Sequence, residues 1–288
     1  MEINNSKIAL ITDSSCDLPT DIIEKYSIFT LPLRVIYPEK EYRDNIDITP
    51  DEIYSRMPEE IPKTSMASAS DAIDVFERIR KEGIRNVLSI NISSGLSGTF
   101  NMIKLVSKDF PDLNIVAIDS KTLSIGLGLI VYEAAKMISQ GLKIEEIKER
   151  IISLREKIKI FYCIPILEYL KKGGRINTVA ATIGDIMDIK PIISVNEEGK
   201  YFSYAKVRGR KRSLDKLVEI AKEISEGHVV NMAVMHGYAE KEALRIKEIL
   251  SELPNVKEMF FGQIGPALGV HTGPGLVGVC IHILNAMA

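Results

Sequence analysis

Short apolar segments alternate with amphipathic segments along the first half of the chain. Residues 8–12, 86–92 and 114–118 are apolar runs with the length of buried strands. Residues 71–82 carry apolar side chains at helical spacing. Strands that alternate with helices predict a largely parallel sheet covered by helices on both faces. Further expected elements are helices at residues 20–26, 50–57, 97–108, 124–140 and 144–157 and a strand at residues 29–37.

The second half of the chain has a different pattern. Strand-like segments follow one another closely there, and residues 196–200 between two of them are typical of a hairpin turn. This favours an α+β domain with a mixed or antiparallel sheet. We therefore expect an N-terminal α/β domain at residues 1–158 and a C-terminal α+β domain at residues 159–288. The expected strands are 159–165, 190–195, 201–207, 229–235, 256–261 and 276–283, and the expected helices are 166–172, 178–186, 213–225 and 240–250.

Composition narrows the class of function. The 288 residues carry a net charge of −2, which argues against a general nucleic-acid binder, since such proteins have a strong basic excess. Cys16, Cys163 and Cys280 form no C-x-x-C pair, and the four histidines are scattered. We therefore expect neither a structural zinc site nor a disulfide framework.

The stretch at residues 259–288 contains no Asp, Glu, Lys or Arg and has glycines at G-x-x-x-G spacing. Six glycines and two prolines interrupt it, so a membrane helix is not expected. We expect buried strands joined by a rigid glycine-rich loop at residues 265–275, with His271 as a positioned hydrogen-bond donor. Residues 1–7 are polar and the next apolar run is too short for a signal peptide, which predicts a cytoplasmic protein.

Two hydroxyl-rich loops are the candidate ligand sites. In a parallel sheet, ligands bind beyond the carboxyl ends of the strands. Residues 91–100 follow an apolar strand and open a helix, so their hydroxyl and N–H groups favour an oxyanion. The alternative is ordinary helix capping by Ser97. Residues 62–68 supply a second hydroxyl cluster just before another helix.

A serine acyl hydrolase is the alternative function. Residues 95–99 resemble G-x-S-x-G, except that Thr99 occupies the position of the last glycine. Asp119 and His271 follow Ser97 in the chain order of α/β-hydrolases. The missing glycine counts against a nucleophile elbow, because the elbow needs it for close packing of helix and strand.

Two further patterns have ordinary explanations. Residues 126–131 lack the third glycine of a dinucleotide-binding motif. A basic run beside an expected strand end is either a solvated face or a docking patch for an acidic partner or a phosphate. Its residues are Lys206, Arg208, Arg210, Lys211 and Arg212.

Seven segments in order along the chain together resemble the DegV family of fatty-acid-binding proteins. No single segment would be specific enough, but together they extend over most of the chain. The resemblance implies a two-domain α/β fold. The segments are residues 11–19 (ITDSSCDLP), 63–65 (KTS), 93–99 (SSGLSGT), 170–176 (LKKGGRI), 190–191 (KP), 206–209 (KVRG) and 271–275 (HTGPG).

The resemblance also implies a function. A member of this family binds one long-chain fatty acid in a closed tunnel, has no catalytic turnover of its own and uses no metal or cofactor. By motif match, Thr64 and Ser97 hold the carboxylate. The further contacts that the resemblance implies are Ser65, Gly98 and His271.

Family members of the carrier type present the acid to a separate fatty acid kinase, which makes an acyl phosphate. Arg175 and Arg208 are then the candidates for docking that kinase. The chain departs from the family pattern after Ser65, where Gln-Pro-Ser is usual and residues 66–68 read Met-Ala-Ser. This leaves Thr64 intact but changes the loop beside it.

A small-molecule sensor or interaction protein without lipid is the third hypothesis.

Overall fold

The computed structural model describes residues 4–57, 59–176, 179 and 189–286. The strands are β1 (Asn4–Asp13), β2 (Phe29–Leu31), β3 (Arg34–Ile36), β4 (Glu41–Arg43), β5 (Lys63–Ser65), β6 (Ile84–Asn91), β7 (Asn114–Asp119), β8 (Ile158–Cys163), β9 (Ile189–Val195), β10 (Tyr201–Arg208), β11 (His228–Gly237), β12 (Val256–Gln263) and β13 (Leu276–Ala286). The helices are α1 (Thr20–Lys25), α2 (Pro50–Arg56), α3 (Ala69–Lys81), α4 (Thr99–Val106), α5 (Ser124–Ser139), α6 (Ile144–Leu154), α7 (Glu168–Lys172), α8 (Arg210–Ser225), α9 (Glu240–Ser251) and α10 (Pro266–Thr272). Short 3-10 turns lie at Ser14–Cys16, Ser107–Asp109 and Arg155–Lys157.

Two large sheets organise the described chain. The first is parallel, with strand order β2-β1-β6-β7, and helices lie between its strands in the sequence. The second has the order β10-β9-β8-β13-β11-β12 and is antiparallel except for the β11–β12 pair. The predicted fold class, a parallel sheet flanked by helices followed by a mixed sheet, is confirmed.

A small antiparallel sheet of order β4-β3-β5 lies beside these two. It fixes the first hydroxyl-rich loop, because Thr64 in β5 pairs directly with Val35 in β3. Val35 is buried, so the register of β5 is held by the core.

The core does not separate cleanly at residue 158. Strand pairs stay on either side of that residue, but one large apolar cluster takes Leu10 and Ile90 from the first half and Ile160 and Ile264 from the second. The division into residues 1–158 and 159–288 therefore stays a prediction.

Several expected elements differ in detail. The strand expected at residues 29–37 is split into β2 and β3 around Pro32, which has no N–H to donate to a ladder. The helix expected at residues 71–82 begins at Ala69, because the side chain of Ser68 caps it by accepting from the backbone N–H of Asp71. The helix expected at residues 178–186 lies, apart from Val179, outside the described residues.

The glycine-rich segment at residues 265–275 is helical in part, where a loop was expected. Pro266 is at the first turn of α10, a position where its missing N–H costs nothing. Gly273 ends the helix with a positive φ of 67°, which glycine adopts without strain. The helix brings His271 to its last turn.

Candidate functional site

The two hydroxyl-rich loops and α10 meet at one place. Thr64 lies in β5, Ser97 precedes α4, and His271 lies in the last turn of α10. The Oγ1 atom of Thr64 is 2.7 Å from the Nε2 atom of His271, a hydrogen bond that joins residues 207 positions apart. This contact depends on α10 packing against α2, α7, β3 and β5.

A cavity with polar walls opens at this junction, and we call it the polar cavity. Its empty space is about 380 Å³. It contains hydroxyls, one imidazole and one guanidinium on one side and apolar side chains on the other. Its walls are Leu33, Thr64, Ser65, Ile92, Leu96, Ser97, Arg175, Tyr201, Ala267, Leu268 and His271.

A second cavity, the apolar cavity, adjoins the first. Its empty space is about 430 Å³. It shares Tyr201 and Leu268 with the polar cavity, so the same two side chains border both spaces. The remaining walls are Leu123, Ser124, Ile125, Ile160, Tyr162, Met235, Ile264, Thr272, Leu276, Gly278 and Val279.

The Ser97 hydroxyl lies at the positive end of α4. The cap residue of this helix is Gly98, which offers no side chain, so ordinary capping by Ser97 at the N-cap position is not what the structure has. Ser97 Oγ instead accepts from the N–H of Thr99 at 3.3 Å and lies 3.0 Å from the Thr99 hydroxyl. Unpaired N–H groups at a helix start favour negative charge nearby.

The imidazole of His271 is held neutral. Burial lowers its pKa to about 3, and the positive charge of Arg175 acts in the same direction. Its Nδ1 atom has no hydrogen-bond partner within the described part of the chain. Gly173 packs against that atom so closely that an added Cβ would lie 2.0 Å from it. His271 can therefore supply one hydrogen bond at Nε2 but no positive charge near neutral pH.

This neutral histidine predicts a measurable loss of stability in acid. The unfolded chain binds a proton at His271 near the ordinary pKa of about 6.5, whereas the folded chain does not until about pH 3. The free energy of unfolding of the wild type relative to His271→Gln should therefore fall by about 2 kcal/mol between about pH 7.5 and about pH 5. Chemical denaturation at the two pH values measures this difference, and an unchanged difference would contradict the neutral, buried imidazole.

Arg175 lies in the wall of the polar cavity. Its Nε donates to the carbonyl of Leu96 at 3.2 Å and its Nη1 donates to the carbonyl of Gly173 at 2.6 Å. The first bond reaches the loop that carries Ser97. The sequence motif drew attention to Arg175 as a docking residue, but its position inside the cavity could not be read from the motif.

The other predicted contacts occupy different positions. Ser65 is exposed at the rim of the polar cavity, and its hydroxyl donates a hydrogen bond to the carbonyl of Met66. Gly98 is exposed beside Ser97, where an added Cβ would meet the sulfur of Met66 at 2.7 Å. Arg208 is exposed at the end of β10 and does not line the polar cavity.

Sequence reasoning missed the two side chains that border both cavities. Tyr201 follows the hairpin turn and is buried, and Leu268 belongs to the segment expected to be a loop. Neither has a motif of its own. Two glycines near the site could be recognised from the sequence. Gly173 and Gly273 lie in the L-K-K-G-G-R and H-T-G-P-G segments of the family resemblance.

The side chains of the hydrolase alternative do not form a catalytic chain. The imidazole of His271 contacts the hydroxyl of Thr64. Asp119 accepts from the backbone and hydroxyl of Ser94. In a catalytic triad the nucleophile, here Ser97, is hydrogen-bonded to the histidine, and the histidine is hydrogen-bonded to the acid. Among the described residues, neither hydrogen bond is formed between Ser97, His271 and Asp119.

Neither a cluster of metal-binding side chains nor a membrane-spanning helix is found among the described residues. No group of three or more His, Cys, Asp or Glu side chains could hold a metal ion there. Among the helices of the same residues, none has both the length and the hydropathy needed to cross a bilayer.

Comparison with known proteins identifies the family. The family model described as "Uncharacterised protein, DegV family" matches residues 7–283. A DegV domain-containing protein of Clostridium acetobutylicum is 45% identical over 276 residues, which cover 96% of this chain and 98% of that protein. A fatty-acid-binding DegV family protein of Thermus thermophilus has a TM-score of 0.90 and 28% identity, covering 96% of this chain and 100% of that one. A stearic-acid-binding protein of Eubacterium ventriosum has a TM-score of 0.87 and 31% identity, covering 96% of this chain and 97% of that one. The chain belongs to the DegV family.

Proposed function

We propose that this protein is a cytoplasmic carrier that binds a single long-chain fatty acid without turning it over. The carboxylate binds Thr64 and Ser97 in the polar cavity, with Ser65, Gly98 and His271 as further contacts. The acyl chain extends into the apolar cavity. Residues 1–158 form the domain that supplies the two hydroxyl loops, and residues 159–288 form the domain that completes the tunnel.

The adjacency of the two cavities supports this proposal. Tyr201 and Leu268 belong to the walls of both, so a polar head in one cavity and an apolar tail in the other would lie next to each other. Fatty-acid binding by the Thermus and Eubacterium proteins, whose folds match over 96% of this chain, supports the same ligand class.

The energetics of a fatty acid match this division between the cavities. Burying about 14 methylenes contributes roughly 11 kcal/mol before the costs of association. An ionised carboxylate loses several kcal/mol on leaving water unless donors replace its hydration. Two hydroxyls and the start of α4 supply such donors, and Arg175 adds a positive charge in the same wall.

We propose further that a separate fatty acid kinase takes the acid from this carrier. Hydroxyls hold the head, while the Arg175 guanidinium donates to the carbonyls of Leu96 and Gly173, which leaves a carboxylate oxygen open to phosphoryl transfer. Arg208 is exposed and suited to docking such a partner. Arg175 lies deeper, so any part it plays in docking would be at the mouth of the polar cavity.

Native mass spectrometry of protein purified from cells tests the ligand. We expect one bound acid of about 14 to 18 carbons for each chain, released and identified after denaturation. Protein that carries no lipid and binds none on addition of palmitic acid would favour a sensor or interaction protein. Labelling of Ser97 by a fluorophosphonate probe would favour the hydrolase alternative, and no labelling is expected.

A further inference from the structure

Asp17 and Asp44 lie at the start of α10, and the charge of a third carboxylate, Asp13, is close enough to raise the pKa of both. Asp13 and Asp44 are buried, and Asp17 is partly buried. Desolvation raises the pKa of Asp17 to about 7 and that of Asp44 to about 6. No Lys or Arg forms an ion pair with any of the three in the described part of the chain. Burying an ionised carboxylate without a basic partner costs free energy. The hydrogen bonds that these carboxylates accept are therefore important for their presence in the interior.

Two of these carboxylates accept hydrogen bonds from the beginning of α10. Asp17 Oδ1 accepts from the N–H of Gly265 at 2.9 Å, and Asp44 Oδ1 accepts from the N–H of Ala267 at 2.8 Å. The partners are 248 and 223 positions apart in the sequence. The link therefore runs from the first third of the chain to the helix that carries His271.

Their second oxygens tie the same carboxylates to fixed elements. Asp17 Oδ2 accepts from the hydroxyl of Ser124, which is also a wall residue of the apolar cavity. Asp44 Oδ2 accepts from the hydroxyl of Ser14, and that hydroxyl accepts from the N–H of Leu33. Each carboxylate thus bridges α10 to the part of the fold around the parallel sheet.

The helix α10 needs outside support. It has seven residues, its N-cap is Gly265, and no side chain at that position caps it. A helix this short is unstable alone, because nucleation costs more than its few hydrogen bonds return. The free N–H groups of its first turn require acceptors when they are buried. Asp17 and Asp44 are those acceptors.

We propose that Asp17 and Asp44 are positioning residues for the carboxylate site, because they hold the start of α10 so that His271 stays against Thr64. The role is hydrogen-bond acceptance and not charge. The consequence for fatty-acid affinity rests on the function proposed above, whereas the position of His271 can be measured without any ligand.

The test compares Asp17→Ala and Asp44→Ala with Asp17→Asn and Asp44→Asn in the full chain. Nitrogen-15 spectra report the tautomer and pKa of His271, assigned through His271→Gln. In the alanine variants we expect averaged tautomers, a His271 pKa that returns towards its ordinary value, and palmitic acid binding weakened about tenfold. In the asparagine variants the His271 signal should stay as in the wild type, because the amide oxygen still accepts.

Asp13→Ala is the matched control. Asp13 is as buried as Asp44, but it accepts from the N–H of Ile92, and none of its hydrogen bonds among the described residues reaches α10. It should lower stability and leave the His271 signal unchanged. The proposal is overturned if the alanine variants leave that signal unchanged, or if Asp13→Ala alters it to the same degree.

A second measurement needs no substitution, should the alanine variants fail to fold. Scalar couplings across the hydrogen bonds, from the nitrogens of Gly265 and Ala267 to the carboxyl carbons of Asp17 and Asp44, should be detectable in the wild-type protein. Their absence overturns the proposal. A shifted His271 signal with unchanged palmitic acid binding would uphold the positioning role and count against the proposed carboxylate site.

Discussion

Replacing Thr64 by valine together with Ser97 by alanine is expected to weaken palmitic acid binding by about a hundredfold or more. Each hydroxyl removed costs a hydrogen bond to a charged group, about 1.5 to 3 kcal/mol, and every 1.4 kcal/mol is about tenfold in affinity. The shape of the polar cavity changes little, since valine has the outline of threonine. Isothermal titration calorimetry with delipidated protein measures the loss.

Two controls distinguish the contribution of the carboxylate to affinity from that of the acyl tail. Thr64→Ser keeps a hydroxyl and should keep most of the affinity. Hexadecanol, which has the same tail and no charge, should bind the double variant and the wild type within a few-fold of one another. If the double variant binds palmitic acid as tightly as the wild type, Thr64 and Ser97 do not bind the carboxylate.

Gly173→Ala is expected to lower both stability and affinity. The backbone of Gly173 has an ordinary φ of −73°, so alanine is not strained there. Its Cβ would instead lie 2.0 Å from His271 Nδ1 and 2.7 Å from Cε1. Overpacking of this kind costs about 1 to 3 kcal/mol. Because the imidazole has to move away, its hydrogen bond to Thr64 is lost, and palmitic acid should bind at least about tenfold more weakly.

The neighbouring glycine provides the matched control. Gly174 has a φ of 72°, and no atom of the described residues lies within 4 Å of an added Cβ. Gly174→Ala should therefore cost about 1 kcal/mol through backbone strain alone and leave binding unchanged. Thermal denaturation and titration of both variants compare the two effects. Equal loss of affinity in both variants would contradict the packing argument at His271.

The order of strands and helices could be predicted because it depends on local patterns. Residues 86–92 are rich in Val, Leu and Ile, as expected of a strand in a covered sheet, and they overlap β6 with both ends within two residues of the prediction. The capping box of α2, formed by Thr49 and Glu52, is a local signal of the same kind. Such signals need no knowledge of the rest of the chain.

The site was predictable only in its two loops. Thr64 and Ser97 belong to motifs, but the contact between Thr64 and His271 joins distant segments and has no local signature. Helix α10 was missed because glycine and proline have low helix propensity. Its formation depends on acceptors in Asp17 and Asp44, which lie more than 200 positions earlier.

The place of β13 in the second sheet has a consequence for how the protein is made. Although β13 is the last strand in the sequence, it lies between β8 and β11, and residues Leu276, Gly278 and Val279 in it form walls of the apolar cavity. A nascent chain that has not yet released this strand leaves both neighbours with open edges. The walls of the apolar cavity are therefore incomplete until β13 has joined the sheet, and truncation before residue 276 would yield an aggregation-prone fragment.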